Sequence, residues 1–365
     1  MTNQRGYLKS LNAKRAALWY RQPSKSLHLV LVSGEAGKST TALYLYHILR
    51  ADERKTAVFT DVECYINDTP YNARYTQSAS SIQAALAAAK KAECDFVIIE
   101  LTPEINQKSI LKTLHYNSVL ATTITPDLTT LFDRETEFIA LPYADEPLEI
   151  PLAPHQIAYF GDNPAADIYI DKLKLRRGGT ELDIVLDHHH HHEVATYLLG
   201  VLNAHNAAAA IAMAYVLGVT TDCFAEGIAR LESVSGNLEH VSINAPYNLY
   251  IDSAKSTFSA HEAVATLAGL KKRRLLVAVA NSLPLELSRE VANIADQVVV
   301  YGYDSVDGHL VLARDRDDAI EVTLRGARLD DLVLFLGDDF AKRAEDGELE
   351  IYSTIKGTRF DEHQN

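Results

Sequence analysis

Ser26-Leu27-His28-Leu29-Val30-Leu31-Val32-Ser33-Gly34-Glu35-Ala36-Gly37-Lys38-Ser39-Thr40 is the stretch on which the reading of this sequence turns. Its first eight residues are an apolar, β-rich run, the pattern of a strand buried on both faces of a parallel sheet. Two glycines follow within four residues. Thr40 to Arg50 then carries Leu43, Leu45, Tyr46 and Leu49 at helical spacing. A strand, a glycine turn ending in Lys-Ser-Thr and a helix, in that order, predict a phosphate-binding loop. Glycine lets the backbone N–H groups turn inward and approach a phosphate closely. The helix N-terminus adds partial positive charge. Lys38 can reach the β and γ phosphates of ATP, and the Ser39 hydroxyl can ligate Mg²⁺. A glycine turn that merely precedes a helix is the alternative, and the full order of elements argues against it.

Working outward, strands are expected at Lys55–Thr60, Asp95–Leu101 and Asn117–Thr123, with an Ala-rich helix at Ser78–Glu93. Strand and helix alternate, so the spacing predicts an α/β domain with a mostly parallel sheet. Ile168 to Leu186 alternates around Gly178-Gly179 and reads as an antiparallel hairpin. Ala195 to Leu217 reads as a long Ala-rich helical region broken near Asn203–Asn206, and Val241 to Asp252 as a strand. Helices at Ala260–Leu270, Leu285–Ile294 and Asp317–Arg328 then alternate with strands at Arg274–Val279, Gln297–Tyr301 and Leu332–Leu336. That pattern predicts a C-terminal Rossmann-like domain. The expected organisation is an N-terminal extension over residues 1–25, a central P-loop domain over 26–242 and the Rossmann-like domain over 243–365.

With 365 residues, two or three domains are expected. A formal charge of −14, from 35 basic and 49 acidic side chains, argues against non-specific nucleic-acid binding. A local basic pocket for a nucleotide remains compatible with that total. Cys64, Cys94 and Cys223 lack metal-ligand spacing and read as reduced packing residues of a cytoplasmic protein. No apolar run approaches the roughly 20 residues of a membrane helix. His188 to His192 is a run of five histidines. It reads as a solvated loop after a hairpin strand, with adventitious affinity for Ni²⁺ or Zn²⁺.

The loop has only Glu35 and Ala36 between its glycines, where the commonest form has four residues. The shorter form resembles that of the Mur ligases, Gly-Thr-Asn-Gly-Lys-Thr-Thr. Further segments are similar in the same order. Val97-Ile98-Ile99-Glu100-Leu101-Thr102 resembles the family's strand ending in a magnesium-binding glutamate. Thr122-Thr123-Ile124-Thr125-Pro126-Asp127-Leu128 resembles Thr-Asn-Leu-x-x-Asp-His-Leu. Leu141-Pro142-Tyr143-Ala144-Asp145-Glu146-Pro147 is similar to the Asn-x-Asp-Asp-Pro turn. Gly200-Val201-Leu202-Asn203-Ala204-His205-Asn206-Ala207 looks like Gly-x-x-Asn-x-x-Asn-Ala. Ser235-Gly236-Asn237-Leu238-Glu239 is similar to Gly-Arg-x-Glu, and Tyr250-Ile251-Asp252-Ser253-Ala254-Lys255 to the Asp-Tyr-Ala-His segment. The likeness runs from about Leu27 to Leu270, and its weight lies in the collinear order.

The resemblance implies an ATP-dependent amide-forming ligase that works through an acyl-phosphate. Its substrates would be a small carboxylate and an amine, with a UDP-linked muropeptide as one candidate and a partner subunit also open. Lys38 and Glu100 would be catalytic. Gly34, Gly37, Lys38, Ser39 and Thr40 would hold the phosphates, Asn203 and Asn206 the adenine, and Asp252 the ribose. Ser39 and Glu100 would hold Mg²⁺, and ATP would lie in an interdomain cleft. On the residues alone, Glu100 and Asp127 also fit solvated carboxylates, Asn203 a helix cap, Asn206 a polar surface residue and Lys255 a surface lysine.

Departures from the family pattern accompany these matches. The family's Asp-His pair is Asp127-Leu128. The arginine of Gly-Arg-x-Glu is Asn237, and the histidine of Asp-Tyr-Ala-His is Lys255. Leu131 to Ala140 has no lysine to be carbamylated. Ala278 to Ser282 replaces a glycine-rich loop, and Gly337-Asp338-Asp339 stands where Gly-Lys-Gly-His-Glu would lie. The loop begins at Gly34, so the family's N-terminal UDP-sugar-binding domain is not expected. A member that binds nucleotide without turning it over is therefore the alternative.

Overall fold

Leu29, Val30, Leu31 and Val32 are all fully buried, because their strand has a parallel neighbour on each side and helices over both faces. The computed structural model describes residues 2–102, 108–132, 135–146, 148–150, 156–254, 256–306, 308–344 and 348–357. The chain divides into two units. The first comprises Met1–Lys174, Glu181–Thr196 and Leu202–Leu231, and the second Leu175–Thr180, Tyr197–Val201 and Glu232–Asn365.

In chain order the first stretch contains α1 (Thr2–Trp19), β1 (His28–Ser33), α2 (Lys38–Ala51), β2 (Thr56–Phe59), β3 (Cys64–Ile66), β4 (Thr69–Pro70), α3 (Ala79–Lys91), β5 (Phe96–Glu100), α4 (Lys108–Leu111) and β6 (Ser118–Ala121). It continues through β7 (Phe138–Pro142), β8 (Gln156–Gly161), β9 (Ile168–Arg176), β10 (Gly179–Leu186), β11 (His190–Thr196), α5 (Val201–Val216) and α6 (Asp222–Ala229). The strands form one sheet in the order β11-β10-β9-β8-β7-β6-β1-β5-β2-β3-β4. Its centre, β6-β1-β5-β2, is parallel, with Val30 opposite both Ile98 and Ser118. Side chains alternate across the strands. Leu29, Leu31, Val97, Ile99 and Phe59 pack with Ile82 and Leu86 of α3 on one face. Helix α2 covers the other face against β1, β2 and β5.

Two local expectations are corrected, on α5 and on the histidine run, and a third, the antiparallel hairpin, is met. Helix α5 runs unbroken through Asn203–Asn206, since alanine there sustains the helix on either side. Residues from His190 to Thr196 form strand β11, so His190, His191 and His192 lie on a strand and not in a loop. Two residues separate β9 from β10, and only an antiparallel pair closes so tightly.

In the second unit come β12 (Glu239–Val241), β13 (Asn248–Asp252), α7 (Thr257–Gly269), β14 (Leu275–Val279), α8 (Leu285–Val291), β15 (Gln297–Tyr301), β16 (Leu310–Ala313), α9 (Arg316–Gly326), β17 (Leu332–Leu336), α10 (Asp338–Ala341) and α11 (Tyr352–Gly357). The order β12-β13-β17-β14-β15-β16 is parallel except for β12. Helices α7 and α8 line one face, while α9 and residues Phe340, Ile351 and Ile355 line the other. The chain is thus a mixed α/β protein with two largely parallel sheets. The stretch Val241–Asp252, expected as one strand, holds the end of β12, a non-strand connection and β13, and the two strands pair antiparallel with His240 opposite Tyr250. Residues 239–241 therefore pair within the second sheet, and the second unit takes up the chain at Glu232, ahead of the residue 243 expected.

Helix α6 reaches α2 through Gly227. A β-carbon there would lie 2.4 Å from Ile48 Cα. Backbone atoms of a buried helix cannot yield as a side chain can. Gly227→Ala should lower stability by about 1–3 kcal/mol, the usual penalty of overpacking. A denaturant titration of both proteins reads the difference.

Candidate functional site

The backbone turns sharply at the C-terminal end of β1. Gly34 has φ 132° and Gly37 φ 77°, values that L side chains rarely adopt. Space is as limiting as torsion. A β-carbon on Gly34 would fall 2.1 Å from Thr122 Oγ1, and one on Gly37 2.0 Å from Asn206 Oδ1. Threonines at the end of β6 fasten the loop from one side. Thr122 Oγ1 donates to the Ala36 carbonyl at 2.6 Å, and Thr123 Oγ1 accepts from the Glu35 amide at 2.9 Å. Asn206 of α5 presses from the other side.

Past the loop, the first i→i−4 bond of α2 runs from the Thr41 amide to the Gly37 carbonyl at 2.9 Å. The amides of Lys38, Ser39 and Thr40 precede it and form the anion-binding end of the helix. Thr40 is 3% exposed, so it offers the site its backbone rather than an accessible hydroxyl. The Lys38 ammonium folds over the loop and donates to the carbonyls of Gly34 (2.9 Å) and Glu35 (3.4 Å).

Glu100 closes β5, the parallel neighbour of β1, with Val32 directly opposite. Its Oε2 accepts from the Ser39 hydroxyl at 2.7 Å and from the Asp61 amide at 3.2 Å. At 4% exposure it is no solvated carboxylate. Burial holds its carboxyl above the ordinary glutamate value, against the pull of the Ser39 hydrogen bond. Two oxygen donors so placed beside a phosphate loop suit a hard divalent cation such as Mg²⁺.

Asn203 and Asn206 are 2% and 1% exposed, and Asn206 Nδ2 donates to Asn203 Oδ1 at 3.2 Å. They are neither a helix cap nor a polar surface residue. The structure brings Gly34, Gly37, Lys38, Ser39, Thr40, Glu100, Asn203 and Asn206 together within the first unit. Asp252 belongs to the second, at the end of β13. Its two carboxylate oxygens accept from the amides of Leu238 (2.9 Å) and Ala254 (2.8 Å). Lys255 and Pro147 lie outside the described residues.

Asp127 is exposed and accepts from Thr125 Oγ1 at 2.9 Å within its own turn. Leu128 is 1% exposed in the core beside Leu131, so its position holds an apolar packing group. Glu239 pairs with Arg343, which also donates to Ser235 Oγ at 2.8 Å. Burial pushes the thiols of Cys64 and Cys94 up to about 11, as expected of packing cysteines. His191 bonds Asp183 at 3.1 Å near Asp171. Lys172 already neutralises those two carboxylates, at 3.3 Å from Asp171 and 3.4 Å from Asp183.

Sequence reasoning gave no role to Asp61, Thr122 or Thr123. Thr122 and Thr123 fall in a quoted family segment, yet only the close approach at Gly34 shows why threonine is there. Asp61 follows β2 without any motif.

The chain is similar in sequence and in fold to known proteins. The model of the Mur ligase middle domain matches residues 32–140. The chain is 24% identical over 384 residues to a UDP-N-acetylmuramoyl-L-alanyl-D-glutamate–2,6-diaminopimelate ligase of Syntrophomonas wolfei, covering 90% of this chain and 76% of that protein. A protein of the same description from Geobacillus kaustophilus is 23% identical, with 88% and 76% covered. Among solved structures, the fold is similar to the MurF ligase of Thermotoga maritima in complex with ADP. That match has a TM-score of 0.71 and 17% identity, over 89% of this chain and 80% of that one. Folylpolyglutamate synthase of Mycobacterium tuberculosis, complexed with ADP, gives 0.69 and 17%, over 90% and 91%. Among the described residues no helix is long and apolar enough to cross a membrane.

Burial pushes the Asp252 carboxyl up to about 7, against the pull of its two backbone hydrogen bonds. A carboxyl raised in the folded state keeps a proton that the unfolded chain releases. Stability therefore falls as pH rises from about 4 to about 7 and levels off above, by at most about 1.4 kcal/mol per pH unit from this group. Denaturant titrations at pH 5 and pH 7.5 should show a smaller drop for Asp252→Asn than for the natural chain.

Proposed function

We propose that this chain, a member of the Mur ligase family, binds ATP on the Gly34–Thr40 loop and joins a carboxylate to an amine. The observation that carries the reading is the joint placement of the loop amides, the Lys38 ammonium and the Ser39–Glu100 pair at one sheet edge. In the proposed reaction the carboxylate substrate attacks the γ-phosphorus, ADP leaves, and an acyl-phosphate forms. The amine then displaces phosphate to give the amide. Charge grows on the phosphoryl oxygens during the first step. The first-turn amides and Lys38 face that charge and stabilise it. Ser39 and Glu100 fit a magnesium ion, which when bound supplies further charge neutralisation on the phosphates. Asn203 and Asn206 make a buried amide pair against the loop, suited to the adenine edge. Asp252 is proposed for the ribose.

The curated relatives' names point to UDP-linked muropeptides and diamino acids as the first substrates to test. A cytoplasmic location fits the three free thiols. A second reading, nucleotide binding without turnover, is favoured by one observation. Leu128 fills an apolar core position where the family pattern has a histidine. Asn237 and the lysine-free segment Leu131–Ala140 point the same way. Assays of ADP release with paired carboxylates and amines separate the two. Carboxylate-dependent ADP release supports the ligase, and tight binding with none supports the second reading.

Lys38→Ala removes a charge-assisted contact worth about 1.5–3 kcal/mol. Calorimetric titration with ATP should show affinity at least roughly tenfold weaker, and unchanged affinity refutes the loop reading.

A further inference from the structure

Strand β2 lies beside β5 in parallel register, with Phe59 opposite Ile99. The chain leaving β2 thus passes Glu100 directly, and its turn is tightly held. Thr60 Oγ1 accepts from the amides of Val62 (3.2 Å) and Glu63 (2.9 Å) and donates to the Glu63 carbonyl at 2.7 Å. This turn aims the Asp61 amide at Glu100 Oε2, the oxygen that also receives the Ser39 hydroxyl. The Asp61 side chain is exposed at this turn, and its charge acts on the Glu100 carboxyl. Two like charges side by side are unfavourable unless a cation or proton sits with them.

The segment before α3 adds a further observation. Gln77 Nε2 donates to Asp61 Oδ1, which fixes the rotamer of the aspartate. Gln77 Oε1 is buried and has no hydrogen-bond partner among the described residues. The Tyr75 hydroxyl is likewise sealed from solvent and without a partner, and it senses the charges of both Asp61 and Glu100. The Tyr75 ring is anchored against Phe59, 5.3 Å between centroids. Orphaned buried donors and acceptors are unfavourable unless a bound partner reaches them. Magnesium keeps several of its waters when bound by one or two carboxylates, and those waters need such partners.

We infer that Asp61 is a second carboxylate of the magnesium site, with Tyr75 and Gln77 holding the ion's water shell, an inference that rests on the proposed nucleotide site at Ser39 and Glu100. The segment Asp61–Gln77 would then supply oxygen donors to the site in addition to Ser39 and Glu100. This gives a physical role to a chain segment that matches no motif. It also supplies negative charge to a site whose family pattern has lost its histidine at Leu128.

The test is calorimetric titration of the full chain with a non-hydrolysable ATP analogue, once with Mg²⁺ and once with EDTA. Its readout is the ratio of the two dissociation constants. Asp61→Asn should shrink that ratio about 10-fold, with metal-free affinity equal or tighter because one negative charge is gone. Tyr75→Phe should shrink it about 3- to 5-fold, the effect of one hydrogen bond. Thermal melting confirms that each variant is folded, and Tyr75→Phe decides the matter should Asp61→Asn unfold. A ratio unchanged in the folded variants overturns the role of this segment and leaves the nucleotide site standing. No binding of the analogue by the natural chain, under either condition, overturns both.

Discussion

The backbone between β1 and α2 has no room for a side chain at its two glycines. Thr122 stands against Gly34 and Asn206 against Gly37, each closer than any β-carbon allows. Three elements distant in sequence, β6, α5 and the loop itself, are thereby locked into one arrangement. The rest of the first unit serves this constraint. Parallel strands bring Ser33, Glu100 and Ala121 to the same edge, and α2 starts with its amides facing the same way. A site on such a scaffold needs little rearrangement when its ligand arrives, which is where rigid elements outperform loops.

A formal charge of −14 looks contradictory for a chain proposed to bind a polyanion until the charge is localised. The groups proposed to meet phosphate are partial charges on backbone amides and one ammonium, and neither depends on the net total. Glu100 and Asp61 add negative charge at the same edge, and this makes sense beside a divalent cation. Salt and bulk electrostatics act over about 10 Å, while these contacts act within hydrogen-bonding distance.

Much of this was legible beforehand. The run from Leu27 to Ser33, the Ala-rich helices and the apolar strands of the C-terminal half announce themselves by periodicity, and their structures follow. The loop was legible because it is local, its residues being contiguous. Asn203 and Asn206 were expected at a break in the helix, but α5 runs through them, and only burial shows that they face inward. The histidine run misled because five imidazoles resemble solvent-exposed loop, whereas the neighbouring β10 draws its last three residues into a strand. Asp61, Tyr75 and Gln77 were silent because their meaning comes from β2 lying beside β5, a pairing between residues far apart in sequence.

The account's central claim is that the first-turn amides of α2 and the glycine loop cradle a triphosphate. Amide NMR of the ¹⁵N-labelled chain, titrated with a non-hydrolysable ATP analogue and Mg²⁺, addresses those atoms directly. The account predicts saturable shifts concentrated at Gly34, Gly37, Lys38, Ser39 and Thr40. Saturation with those resonances unmoved, and the shifts lying elsewhere, would contradict it.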